Sequence, residues 1–207
     1  MTQPRAQHLF PDLAPGVKAA RLVGLKLLCA LAAFGAAIGD VAASRVEIHY
    51  APQEDLEHVD VDVIDNAERS IDMAAYVLSD PFVIEALRDA ADRGVTIRLY
   101  LDKSQYSQHG PRNGGPIGEL LAFPNVCARV KGRGVLMHLK AYAVDGQRLR
   151  TGSGNFSQSG LAFQDNDLIL VDDPAIVAKF ETNFEAIWSR GTNASAAVAE
   201  PERGGSR

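Results

Sequence analysis

Cysteine is almost missing from this chain of 207 residues: only Cys29 and Cys127 are present. Cys29 lies inside an apolar N-terminal run, so the rest of the chain can build neither an internal disulfide nor a cysteine-based metal site. Cys127, within the apolar run VCARV, reads as a small core residue. Any internal repeat is missing too, so whatever chemistry the chain performs rests on single copies of its parts. The length allows one sizeable core and is too short for two ordinary domains. A hydrophobic share of 46% and a charged share of 23% exclude a disordered or fibrous protein.

Long apolar runs are lacking except at the N-terminus. After Lys18, Arg21 and Lys26 comes LLCALAAFGAAIG (27–39), followed by Val41-Ala42-Ala43. Positive residues, an apolar stretch and small residues in that order predict a cleaved export signal over 1–43 and a periplasmic or secreted product. The alternative is a retained anchor, since residues 22–39 approach the roughly 20 residues that span a bilayer. A single catalytic domain is expected over 44–190, and a disordered tail over 191–207.

Positive charge is scarce overall and unevenly placed. Residues 44–207 carry 17 Lys and Arg against 24 Asp and Glu, a net of −7, which would repel nucleic acid and anionic membranes if spread evenly. Between Cys127 and Arg150, however, Arg129, Lys131, Arg133, Lys140, Arg148 and Arg150 face only Asp145, a local net of +5. Residues 54–72 hold eight acids and one arginine. The DVDVID segment (60–65) within them is expected to be a solvated helix face rather than a metal site, with His58 exposed on the same helix and His49 structural or exposed at a strand end.

From Arg45 the pattern alternates. RVEIHY (45–50), SIDMAAYVL (70–78) and VTIRLYLD (95–102) read as strands. Between them, Leu56, Val59, Val63, Ile64 and Ala67 fall at helical spacing, and Asp80-Pro81 opens a second helix that Gly94 closes. This order predicts an α/β fold: a mixed, largely parallel sheet with helices on both faces. KSQYSQHGPRNGGPIG (103–118) reads as a long loop in which His109, with Tyr106 and Arg112, could reach a substrate. A short helix near 117–122, the VCARV strand, the strand NDLILV (166–171) and a last helix from Asp173-Pro174 to 189 complete the series. That helix is expected to bury Ile176, Val177, Phe180, Phe184, Ile187 and Trp188.

HLKAYAVDGQRLRTGSGN (138–155) stands apart. It reads as a β-hairpin turning at Asp145-Gly146. On its first arm His138, Lys140 and Tyr142 share one face and Leu139, Ala141 and Ala143 the other. A histidine beside a fixed ammonium suits an anionic substrate, with lysine binding charge and histidine attacking or moving protons. Ser153 and Asn155 add a hydroxyl and an amide in a Gly-rich turn whose N–H groups can bind oxyanions. Phe156, next in sequence, is expected beneath that loop.

His138-x-Lys140, four residues, Asp145, six residues, then Gly152-Ser153-x-Asn155 resembles the HKD motif of the phospholipase D superfamily. SIDMAAYVL, ADRGVTIRLYLD and the aromatic-rich last helix extend the likeness over most of 45–190. The resemblance implies hydrolysis of phosphodiesters through a phosphohistidine on His138, with Lys140, Ser153 and Asn155 holding nonbridging oxygens. It implies no metal and no cofactor. Asp145 belongs to the motif's catalytic set but is expected to stabilise the hairpin rather than touch substrate. The family's Glu after the motif, which orients the histidine, is replaced here by Asp165 or, on the next equivalent position, Asp167. With one motif per chain, the resemblance further implies a homodimer in which His138 of each copy meets one phosphorus. A nonspecific endonuclease of the bacterial Nuc type, acting on DNA or RNA, is the expected activity; the alternative is a phospholipase acting on phosphatidylcholine or cardiolipin.

Overall fold

The computed structural model describes residues 44–109, 117–132, 134 and 136–196. The leader expected over 1–43, the loop residues 110–116, Arg133, and the tail beyond 196 lie outside them. Along the chain run β1 (Arg45–Ala51), α1 (Leu56–Asp65), β2 (Ser70–Ala75), α2 (Pro81–Asp92), β3 (Thr96–Leu101), α3 (Lys103–His109), α4 (Ile117–Leu120) and β4 (Val126–Val130). Then come β5 (Lys140–Val144), β6 (Arg148–Gly152), a π-helical turn (Ser159–Phe163), β7 (Asn166–Asp172), α5 (Pro174–Trp188) and β8 (Ala194–Ser195).

The strands form one sheet in the order β1-β7-β6-β5-β2-β3-β4-β8. The α/β class and the helices on both faces are as expected, but the parallel share is smaller. Only β2-β3 and β3-β4 are parallel; the other neighbours are antiparallel. Helical crossovers made the parallel part visible in the sequence. The tight turn between β5 and β6 forces an antiparallel pair, and β7 and β1 extend it.

Asp residues start the helices as the sequence suggests. Asp80 accepts from the N–H groups of Phe82 and Val83, with Pro81 in the first turn. Asp173 does the same for Ala175 and Ile176, ahead of Pro174. Each satisfies orphan donors that a helix start leaves over. On one sheet face Leu56, Ile64, Ile84 and Leu87 of α1 and α2 pack against Ile71, Met73, Ile97, Leu99, Tyr142 and Leu168. On the other, α5 covers Ala74 and Tyr100 with Phe184 and Ile187, and Ala141, Ala143, Leu149 and Val171 with Val177.

Four local expectations change. Cys127 is exposed rather than in the core: Val126 and Val130 of β4 point inward, and Cys127 takes the other face. Ile176, in the first turn of α5, is also exposed. Part of the expected long loop is α3, started by Asp102, whose Oδ1 accepts from the Ser104 N–H. The first residues of the expected tail are structured: Ala194 and Ser195 pair with Val130 and Arg129. Asn193 there donates to the terminal carbonyls of Ile187 and Trp188. Among the described residues, no helix is long and apolar enough to cross a membrane.

Candidate active site

The hairpin's turn places Asp145 at φ 56° and Gly146 at φ 66°, the left-handed pair that matches the twist of two antiparallel strands. The Asp145 carboxylate accepts from the N–H groups of Glu68 (3.0 Å), Arg69 (2.8 Å) and Ser70 (2.8 Å). Burial pushes its carboxyl up, but these three donors outweigh it and hold the group below the usual range. Asp145 thus ties the hairpin turn to the entry of β2, at the end opposite Lys140 and His138, and its part is to stabilise the fold. A carboxyl depressed in the folded state stabilises above its unfolded value, and that contribution disappears as pH falls through the folded value. Asp145→Asn, which tolerates the left-handed backbone, should lose about 1.5–3 kcal/mol at pH 7, as expected for hydrogen bonds to a charged acceptor. The difference from wild type should shrink as acid is added below pH ~4. Urea unfolding across that range checks it; a gap independent of pH would contradict this role.

At the hairpin's open end, the Tyr76 N–H donates to the Leu139 carbonyl (2.8 Å), extending the β2–β5 pairing one residue toward His138. His138 is exposed, whereas Lys140 is buried. The Lys140 Nζ donates to the His138 carbonyl at 2.8 Å and lies 3.0 and 3.1 Å from the two ring nitrogens. Near-equal distances to both nitrogens put the ammonium off either lone-pair direction, so it acts on the ring as a nearby charge rather than as an in-plane donor. Tyr76 backs both groups. Its ring centroid is 4.5 Å from that of His138 and 4.8 Å from the ammonium. Burial lowers the Lys140 pKa. Asp102, itself buried, accepts from the Met137 N–H at 3.0 Å and fixes the approach to His138 from β3.

The Gly152–Asn155 loop lies across the hairpin mouth. Gly152 has φ 144°, and a Cβ there would meet the Asp167 carbonyl oxygen at 2.4 Å, so only glycine lets β6 turn away this close to β7. Ser153 does not present its hydroxyl to the site. The Ser153 Oγ donates to Asp167 Oδ1 and accepts from the Asp167 N–H at 3.0 Å, and the Ser153 N–H also reaches Oδ1, at 3.0 Å. These bonds, the hydroxyl's first, hold the Asp167 carboxyl below its usual range against partial burial. Asp165, just before β7, is exposed and makes no hydrogen bond or ion pair among the described residues. Of the two candidate replacements for an orienting acid, Asp167 is therefore the one engaged, and its partner is Ser153, not His138. Asn155 Oδ1 is buried without a hydrogen-bond partner among the described residues, an acceptor that a bound group or water can satisfy. Phe156 is fully buried beneath the loop.

The family model described as "Cardiolipin synthase, PLD-like domain" matches residues 61–188, more than half of the chain and including every residue of the hairpin and its loop. The chain belongs to the phospholipase D superfamily. It is 28% identical to "Phospholipase D" of Rickettsia bellii over 147 residues, 71% of each chain. It is 28% identical to "Mitochondrial cardiolipin hydrolase" of Xenopus tropicalis over 129 residues, 62% of this chain and 59% of that protein. The solved structure of Nuc, a phospholipase D family member from Salmonella typhimurium, superposes with a TM-score of 0.63 at 22% identity, covering 73% of this chain and 97% of that one. The protein is accordingly a phosphodiesterase of this superfamily.

In this phospholipase D-like chain, sequence reasoning passed over the pair that joins the site to the core. Asp60 and Arg150 are fully buried. Arg150 Nε and Nη2 donate to the two Asp60 carboxylate oxygens at 2.9 and 2.8 Å, and the Tyr142 hydroxyl donates to Oδ1 at 2.9 Å. The guanidinium lies 4.5 Å from the centre of the Phe156 ring. The signal was present: Asp60 falls four residues after Leu56 and four before Ile64, on the apolar stripe of α1. The basic island shrinks by the same account. Arg150 is neutralised inside, Arg148 pairs with Asp172, Lys140 is buried, and Arg129 lies over the Trp188 ring. His58 is exposed near Asp62, and His49 bonds to Glu54, so neither joins the site. The side chains of His109 and Arg112 lie outside the described residues.

Proposed function

We propose that this chain is a metal-independent phosphodiesterase, active as a homodimer and directed at nucleic acid as an endonuclease. The observation that carries the reading is the exposed His138 ring in contact with both the Tyr76 ring and the Lys140 ammonium, present once per chain. A neutral His138 ring nitrogen forms a bond to phosphorus as the bond to the leaving oxygen breaks, and that oxygen takes a proton from His138 of the second copy. Water then attacks the phosphohistidine, giving its proton to the second histidine and releasing His138 with its electron pair. The Lys140 ammonium and the Asn155 amide hold the nonbridging oxygens. The Ser153 hydroxyl, already committed to Asp167, supports the loop rather than the phosphate. His138 supplies the nucleophile and the partner histidine the acid, so the scheme has no step that calls for a metal.

The observations pull the substrate choice in opposite directions. The resemblance of the single-copy motif to the Nuc-type endonucleases supports a nuclease, and the superposition on Nuc is a likeness of fold. Leu136 and Leu139, exposed on either side of His138, favour a lipid headgroup as the second reading, as do the names of the Rickettsia and Xenopus relatives. Plasmid DNA, phosphatidylcholine vesicles and cardiolipin vesicles should each be assayed in EDTA, with His138→Asn as background. DNA cleavage in EDTA with vesicles left intact is the expected result. Faster turnover of vesicles would select the lipid reading, and loss of all activity in EDTA would overturn the metal-free mechanism.

A further inference from the structure

We propose that Arg150 is a positioning residue that sets the spacing between Lys140 and the Gly152–Asn155 loop. This inference rests on the proposed roles of Lys140 and Asn155. The β5–β6 ladder ends at the pair Tyr142–Arg150. Beyond it the two strands part: β5 runs back to its first residue, Lys140, with His138 just before it, and β6 turns off at Gly152. Since the Leu139 carbonyl points to β2, where it accepts from Tyr76, the Lys140 carbonyl points the other way, toward β6. No backbone pairing between β5 and β6 reaches it there. The Arg150 side chain fills the fork instead. Its Nη1 donates to the Lys140 carbonyl at 2.9 Å and to the Gly154 carbonyl at 3.2 Å.

One planar group therefore touches the backbone of the phosphate-binding lysine and of the residue preceding Asn155. A planar guanidinium with a fixed fan of donors holds such a distance better than a flexible ammonium would. Its own position is fixed from behind by the two-point contact with Asp60 and from the side by Phe156. Asp60 in turn is held by Tyr142, which lies on β5 two residues from Lys140. The closed circuit Lys140–Arg150–Asp60–Tyr142 ties both sides of the fork to α1. Without it the Lys140 ammonium and the Asn155 amide could still form but would no longer be held at one separation, and a misplacement of about 1 Å in such a pair costs on the order of 100-fold in rate.

Removing one member of a dry ion pair can unfold a protein, so the main test replaces both. Asp60→Leu/Arg150→Met restores an apolar filling of similar volume, a change that such pairs often tolerate. Full-length wild type, this double variant, Arg150→Lys and His138→Asn are compared on bis(p-nitrophenyl) phosphate, a phosphodiester common to both substrate readings. Hydrogen exchange of the 152–156 amides is followed alongside that of β2 and β3. The double variant should fold and keep the β2 and β3 protection. Its kcat should fall about 100-fold with KM changed by less than about threefold, and the loop amides should exchange faster. Arg150→Lys, which keeps the charge and loses the fork, should fall in between. Unchanged kcat in a folded double variant, or unchanged loop exchange, overturns the proposal. If wild type proves no more active than His138→Asn, the phosphodiesterase reading fails by itself. The exchange data then decide whether Arg150 positions the loop.

Discussion

Mixing wild type with His138→Asn should lower phosphodiesterase activity as the square of the wild-type fraction. The variant alone should lose at least about 10⁴-fold in kcat, as expected when a nucleophile is removed. Because the His138 ring is exposed and, among the described residues, meets only Tyr76 and Lys140, stability should stay within about 0.5 kcal/mol of wild type. The mixture separates a shared site from two independent ones. If each phosphorus needs one His138 as nucleophile and another as acid, a hybrid dimer has either no nucleophile or no acid. An equal, randomly exchanged mixture then keeps about one quarter of the wild-type activity, against about one half for independent sites. Co-expression with two different affinity tags isolates the hybrid, whose activity should match that of the variant alone. A hybrid with half the wild-type activity would mean that each chain carries a complete site, and the second proton donor would have to be sought within the chain.

The hairpin was legible from the sequence because two independent signals agree on it. Alternation places His138 and Lys140 on one face, and Asp145-Gly146 is a turn that only a few residue pairs can make. The site's support is less legible because a charged residue's type does not tell which face of its element it occupies. Arg150 counted toward a basic surface, yet its partner across the ladder is the buried Tyr142. Asp60 counted toward a solvated helix face, yet it falls in line with Leu56 and Ile64. Each residue alone looks exposed; only tertiary pairing shows that they neutralise one another in the core. Asp165 and Asp167 illustrate the same limit at shorter range. Both suit the role of an acid following the motif, and the start of β7 at Asn166 decides that Asp167 meets Ser153 while Asp165 stays in solvent.

Asp60→Ala should be among the most destabilising single substitutions in the chain, and β6 supplies the control. Arg148 and Arg150 lie two residues apart, and each makes a two-point contact with an aspartate. Arg148 reaches both carboxylate oxygens of Asp172 at 2.6 Å, a shorter contact than Arg150 makes with Asp60. Geometry alone would therefore rank the Asp172 pair as the stronger. Burial reverses the order. The side chains of Arg148 and Asp172 keep 35% and 29% of their exposure, so water takes over when Asp172 is cut, and Asp172→Ala should cost less than about 1 kcal/mol. Arg150 and Asp60 keep none. Removing the Asp60 carboxylate strands a guanidinium in a dry interior and leaves the Tyr142 hydroxyl without its near acceptor, an expected loss of about 3–5 kcal/mol. Asp60→Asn, which keeps one oxygen for Tyr142 but removes the charge, should fall between the two. Urea unfolding of the three variants at pH 7 reads the order directly from the midpoints, provided the slopes match wild type. Equal losses for Asp60→Ala and Asp172→Ala would mean that water reaches Arg150, and the rigid fork behind Lys140 would have to be abandoned with it.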